Sequence, residues 1–244
     1  MATAQTQKQT PSQKRIAQYL LAANLPHLHE HSAQIEAALF DLLDAVGELP
    51  EEVAPDALYN YPVPMLSEDG SCSPIEELSP TPYNLTARLG EPTSVTVRRL
   101  LLLRQLVTRV MDLTGSDWFG VYQARGTKAQ RALVKLAYLG RPSRAEFPLT
   151  KTFAKGSTNS TVGLSGHAVV IDDVAAYTAQ GGGFYVCDDA VKSEACLPLF
   201  SFDGDVSTVL GIMDAEASPL AFYNITRQCV LVAAALVAPA FLPD

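Results

Sequence analysis

The sequence predicts an α+β fold: one antiparallel sheet flanked by helices, preceded by a helical and proline-rich N-terminal extension. Three observations predict it. From Ser94 the apolar pattern runs helix, two strands, a long irregular middle, two or three strands and a closing helix. That order suits a sheet with helices packed beside it, not alternating β-α-β units. Asp203-Gly204 stands between two strand-like runs, where a tight hairpin needs the positive φ angles that Asp-Gly supplies. Residues 48–92 change texture, with prolines at 50, 55, 62, 64, 74, 80, 82 and 92, and so many missing N–H donors rule out regular backbone ladders.

Taken in order, residues 1–14 are polar and read as a frayed tail. Residues 13–47 read as helix in two pieces broken at Pro26. The second piece places Ile35, Leu39, Leu42, Leu43 and Val46 at helical spacing, with Gly47 where a C-cap glycine belongs. Residues 48–92 read as an extended arm or long loop, and Leu58, Tyr59, Tyr61, Val63, Met65 and Leu66 imply that it lies against something. Leu103, Leu106, Val107, Val110 and Met111 then trace one helical face that ends at Gly115. Strands are expected over Trp118–Ala124, Ala132–Leu139, Ala168–Ile171, Glu194–Phe202 and Ser207–Ala215, followed by a helix from about Phe222 to Val237. The expected division is an extension over 1–93 and a domain over 94–244, with no internal repeat.

Hydrophobic residues form 48% of the chain and charged residues 18%, which suits a globular protein with a true core. A net charge of -8 without a basic stripe argues against nucleic acid, because phosphate contacts need clustered Lys and Arg. The longest apolar run, Cys229–Leu242, is too short to cross a bilayer and contains Pro239, so no membrane partner is expected. Cysteines at 72, 187, 196 and 229 form no CxxC pair; with no export signal, free thiols and a cytoplasmic setting are expected.

Several residues invite a chemical reading. Cys187 follows Gly181–Gly183 in a Gly/Asp-rich loop, where backbone approaches a ligand closely, whereas Cys72 and Cys229 read as small core hydrophobes. Cys196 is two residues past Glu194, so in a strand the two side chains share a face; it reads as core or as a second thiol. His27, His29 and His31 cannot share one helix face and read as a solvated turn, not a metal centre. His167 is a pocket candidate or a surface residue, and Trp118 a hydrophobic anchor or a pocket wall. Neither a metal nor a cofactor is implied.

A family comes into view at this point. Asp117-Trp118-Phe119-Gly120-Val121-Tyr122 with Leu139-Gly140-Arg141-Pro142 resembles the opening hairpin of GAF domains. Cys187-Asp188-Asp189-Ala190-Val191-Lys192-Ser193-Glu194-Ala195-Cys196-Leu197-Pro198-Leu199 resembles the CDAxSxSEIVxPL segment of free methionine-(R)-sulfoxide reductases, which are GAF enzymes. Leu210-Gly211-Ile212-Met213-Asp214-Ala215-Glu216 is similar to the LGVLDIDS strand of that family. Val162-Gly163 and Asp172-Asp173-Val174 match its GVCG and VDDV pieces in the same order.

The resemblance implies a GAF-like fold and thiol-dependent reduction of a small sulfoxide, with Cys187 as the attacking thiol. It further implies Glu194, Asp214 and Glu216 as pocket acids, and Trp118 and Tyr122 as an aromatic wall. The chemistry needs a thiolate attacking sulfur, an acid protonating the departing oxygen, and a second thiol to clear the sulfenic acid. Crowded carboxyls keep one of their number neutral near pH 7, so Glu194 or Glu216 is the expected acid and Asp214 the partner of a substrate ammonium. Two departures stand out. The family's resolving cysteine falls on Val162, and the family's Asp is Glu216. The alternative expectation is therefore a non-catalytic GAF sensor or dimerisation module. Expected partners are an amino-acid-like small molecule, a thiol reductant protein and a second copy in a homodimer.

Overall fold

The computed structural model describes residues 10–47, 53–66, 77–128, 130–185 and 188–244. Its centre is a six-stranded antiparallel sheet in the order β5-β4-β3-β8-β7-β6. These are β3 (Trp118–Arg125), β4 (Ala132–Leu139), β5 (Glu146–Pro148), β6 (Val169–Ile171), β7 (Ser193–Asp203) and β8 (Val206–Ala217). Asp203 pairs with Val206, which makes Gly204-Asp205 the two-residue loop of the β7–β8 hairpin. Gly204 alone supplies the positive φ, at 57°. The sequence expectation placed both Asp203 and Gly204 in the turn; the turn sits one residue later.

The two faces of the sheet carry different cargo. Phe119, Val121, Val134, Leu136, Leu197, Leu199, Met213 and Ala215 point into the main core. There they meet α5 (Ser94–Thr114) and α8 (Ile225–Val237). Helix α5 begins with a capping box in which Thr93 and Thr96 satisfy each other's backbone N–H, and ends at Gly115 in the left-handed region. Asn224 caps α8 by accepting from Arg227 N–H. The opposite face carries Trp118, Tyr122, Leu133, Cys196 and Ile212 in a smaller apolar cluster.

The N-terminal segments join the same core. Helices α1 (Pro11–Ala22) and α2 (Ser32–Ala45) are linked by a 3-10 turn over Pro26–His31. Ile16, Leu20, Leu28, Ile35 and Leu42 are fully buried in continuity with α8. Tyr19 donates its hydroxyl to the Pro198 carbonyl of β7 at 2.9 Å. Leu43, expected on the apolar face, is instead half exposed, and the cap residue after α2 is Val46 rather than Gly47.

The proline-rich stretch contains α3 (Asp56–Tyr59), a short ladder of β1 (Asn60–Tyr61) with β2 (Tyr83–Asn84), and α4 (Thr86–Leu89). Leu58, Tyr59 and Tyr61 are buried, whereas Met65 and Leu66 are exposed. Arg88 grips Glu146 on β5 with two nitrogens, at 2.8 and 2.5 Å, a bidentate pairing. The arm is thus tied to edge strand β5 through the Glu146 side chain. No described helix is long and apolar enough to cross a membrane.

If α1 and α2 belong to this core, Ile35→Ala should lower the free energy of unfolding by about 2–5 kcal/mol. Urea titration followed by circular dichroism measures it. A loss within about 0.5 kcal/mol would mark the helices as a dispensable attachment.

Candidate functional site

The site is built by strand register. On β3, β8 and β7, Trp118 stands opposite Glu216 and Glu216 opposite Glu194. In the next same-face row, Gly120 stands opposite Asp214 and Asp214 opposite Cys196. Because side chains alternate along a strand, all six face away from the α5–α8 core. Three carboxyls and a thiol thereby share one face of the sheet.

The neighbouring residues fix the shape. Gly120 leaves room for the Trp118 indole, since a Cβ there would come within 2.4 Å of the ring. Gly140 adopts φ +109, and a Cβ there would strike the same indole at 2.6 Å. Held between two glycines, Trp118 donates Nε1–H to the Arg141 carbonyl at 3.0 Å. Tyr122 lies two same-face rows further along β3, its ring centroid 6.3 Å from that of Trp118 and edge-on to Phe147 at 5.6 Å.

Above this face lies α6 (Thr158–Ser165), capped by Ser157. Its first turn is polar yet buried, and each group is used. Thr158 donates to Glu194 Oε1 at 2.7 Å and Asn159 to Asp214 Oδ2 at 2.8 Å. Glu194 is 1% exposed and Asp214 3%, while Cys196 is sealed. Glu194 Oε2 and Asp214 Oδ1 have no donor when both groups are ionised. A proton on Glu194 resolves this by bonding the two carboxyls to each other. Burial first, then the charge of Asp214, push Glu194 and Glu216 well above the usual carboxylic acid range. Burial raises Asp214 to about 6, held there by hydrogen bonds from Asn159 and Glu194. Burial and the three acids push the Cys196 thiol upward too, so it is a poor thiolate.

A lysine completes the cluster. Lys135 is wholly buried, with Nζ donating to Ser143 O at 2.7 Å and Ser143 Oγ at 2.9 Å. Its ammonium faces the rings of Tyr138, Tyr61 and Trp118 at 4.1, 5.2 and 5.8 Å, a cation–π enclosure. Burial drives its pKa well down, opposed by the charge of Glu216. The Tyr61 hydroxyl also donates to the Lys135 carbonyl at 2.8 Å, so the arm closes the back of the site.

A cavity of about 250 Å³ opens beside these groups, walled by Trp118, Glu216, Asp117, Arg141, Ser143 and Asp188. Arg141 and Asp188 form an ion pair at 3.3 Å across its mouth. Glu216 and Trp118 border this space; Glu194, Asp214 and Tyr122 lie behind them and are absent from its walls. Cys187 lies outside the described residues, as does Cys72; the described chain resumes at Asp188, on the cavity rim. The loop leading toward Cys187 is anchored at Tyr185, which accepts from Arg144 at 2.8 Å and packs edge-on to Phe147 at 5.6 Å. A larger cavity of about 300 Å³ between the arm, α5 and β4 has Arg104 on its wall and no carboxyl, so it offers little comparable chemistry. Val162, at the family's resolving-cysteine position, is buried in the apolar cluster beside Cys196. His167 is exposed. His27 meets Gln228 at 2.7 Å, away from the cavity walls. Thr158, Asn159 and Lys135 were not anticipated from sequence.

No family model and no curated relative match the sequence. Among solved structures, the type II free methionine-R-sulfoxide reductase from Thermoplasma acidophilum is similar at TM-score 0.51 and 18% identity, over 61% of this chain and 95% of that one. The free methionine-R-sulfoxide reductase from Neisseria meningitidis, in complex with its substrate, matches at TM-score 0.48 and 20% identity, over 59% and 77%. The GAF domain of an Acinetobacter phosphoenolpyruvate-protein phosphotransferase matches at TM-score 0.44 and 13% identity, over 63% and 84%. The likeness is one of fold, carried by the Thermoplasma comparison, and it agrees with the GAF-like α+β architecture expected from sequence.

The titration of Asp214 has a definite sign. Between its ordinary 3.8 and about 6 the native state holds a proton that the unfolded chain releases, so stability falls as pH rises through that window. Asp214→Asn cannot titrate; its melting temperature should gain on wild type from pH 4 to 7, and a pH-independent gap would refute the assignment. Gly120→Ala should lift the indole of Trp118, the sole tryptophan, off the sheet. A red-shifted, more quenchable emission is expected, and an unchanged spectrum would refute the cradle.

Proposed function

We propose that this chain binds an amino-acid-sized sulfoxide and reduces it by thiol chemistry at Cys187. The observation that carries the reading is the place of Glu216: a partly buried acid, pushed above the usual carboxylic acid range by burial and by the charge of Asp214 beside it, on the wall of a cavity that Asp188, the residue after Cys187, also lines. A carboxyl held in its neutral form is a proton donor, and donation to a sulfoxide oxygen is what makes its sulfur attackable by a thiolate.

In this reading Trp118 packs against the methyl-sulfoxide end of the guest, with Tyr122 supporting it from behind. Arg141 and Asp188, already paired at the mouth, exchange partners with the carboxylate and ammonium of a zwitterion. The Cys187 thiolate attacks sulfur while Glu216 delivers its proton to oxygen. The S–O bond breaks, the oxygen passes to the cysteine as a sulfenic acid, and a thioether leaves. Asp214, hydrogen-bonded to Glu194 behind Glu216, keeps negative charge near it, so that Glu216 takes a proton from water before the next cycle. A thiol reductant then attacks the sulfenic acid, releases water and forms a mixed disulfide, and a second thiol restores Cys187. An external reductant suits the buried Val162 and the sealed, high-pKa Cys196.

The same two facts favour a second reading, a sensor that binds the guest without turnover. Trp118 emission, which reads binding, and sulfoxide consumption, which reads turnover, together separate the two. On addition of methionine-R-sulfoxide, the reductase predicts a saturable change in emission and consumption of the sulfoxide with dithiothreitol. Cys187→Ser should retain the emission change and lose turnover at least about 10³-fold. Binding without consumption in wild type selects the sensor, and no emission change sinks both.

A further inference from the structure

Each of the two most deeply buried carboxyls has one oxygen whose sole available partner is the proton that the pair can share. Consecutive residues of α6, Thr158 and Asn159, bind Glu194 Oε1 and Asp214 Oδ2, which leaves Glu194 Oε2 and Asp214 Oδ1 without donors. Cys196 stands directly across the register from Asp214. Its Sγ and one oxygen of each carboxyl all lie within 4.8 Å of one another. A donor that fixes one oxygen of a carboxylate and frees the other is the arrangement by which outer residues orient metal ligands.

Electrostatics limits what can occupy this point. Three ionised groups among Tyr122, Val162 and Ile212 would be prohibitively costly. They persist either protonated or around a cation. One thiolate with two carboxylate oxygens suits a borderline divalent ion of the zinc type. Magnesium and calcium, which take six or more oxygens, are poorly served by it.

We propose that Glu194, Cys196 and Asp214 form a binding site for a thiophilic divalent cation. Binding displaces the thiol proton and the proton shared by the two carboxyls, so two protons leave for each ion that enters. An occupied site would remove the carboxyl pair from the role proposed for it above, so metal binding and sulfoxide reduction oppose each other. The inference itself does not depend on the reductase reading.

Full-length reduced protein titrated with Co²⁺ tests it. The expected result is one ion per chain, with the near-ultraviolet charge-transfer band of a cobalt–thiolate bond and the visible bands of tetrahedral cobalt. Cys196→Ser should abolish the charge-transfer band, and Cys187→Ser should leave it intact. Should Cys196→Ser fail to fold by circular dichroism, Asn159→Ala serves instead, with Co²⁺ affinity expected to fall roughly 10-fold or more. A missing band in wild type overturns the proposal. So does a band that survives Cys196→Ser or vanishes in Cys187→Ser, or an affinity unchanged by Asn159→Ala. None of these readouts requires turnover, so a failed sulfoxide assay and a failed metal titration are separate results.

Discussion

Register across β3, β8 and β7 governs everything else in this molecule. Trp118, Glu216 and Glu194 form one row and Gly120, Asp214 and Cys196 the next. A slip of one residue in β8 would exchange Asp214 and Glu216 for Met213, Ala215 and Ala217, sending two carboxyls into the core under α8 and three apolar side chains to the cavity side. The penalty on both faces makes the correct pairing far more stable than its neighbours. The two-residue turn at Gly204 and the close approach at Gly211, where a Cβ would meet Tyr122 O at 2.0 Å, hold the strands to that pairing.

From register follows the electrical problem. Glu194 and Glu216 sit directly opposite each other, an arrangement unfavourable for two charges, with Asp214 in the next row. The fold answers by burial that pushes the carboxyls toward their neutral forms, by aiming two donors from the start of α6, and by placing the Lys135 amine on the same face. Each answer has a cost, since Thr158, Asn159 and Lys135 surrender hydration to serve there. Polar groups this deep are stable only when fully engaged, and the two oxygens left over mark where a proton or another cation must go.

The sequence announced the scaffold more clearly than the site. The β3, β4, β7 and β8 runs were legible because alternating or β-branched residues end at Gly and Asp-Gly signals, and α5 because its apolar face stops at Gly115. Helix α6 was not. Ser157-Thr158-Asn159-Ser160-Thr161 has the composition of a loop, because short polar side chains compete with the helix for backbone hydrogen bonds; here they are consumed by Glu194, Asp214 and the carbonyls of Pro148 and Ala154. The serine cap at 157 was the signal available. The three acids and Trp118 were picked out by a motif and do share a face, but which of them borders the cavity is a matter of depth, which spacing along a strand does not encode. Lys135 was invisible for a similar reason. Its cage is assembled from Tyr61, Trp118 and Tyr138, residues as far as 74 positions away in the chain.

The packing of α1 and α2 bears on how the chain comes to fold. Tyr19 reaches its partner Pro198 across 179 positions, and α2 rests on α8, the last long helix. During synthesis the apolar faces of α1 and α2 emerge well before β7 and α8, the partners that cover them. Contacts so distant in sequence make for slow folding, and the exposed helices of a half-made chain invite association with other chains. The nascent chain is therefore vulnerable to aggregation throughout the interval between the emergence of α2 and that of α8.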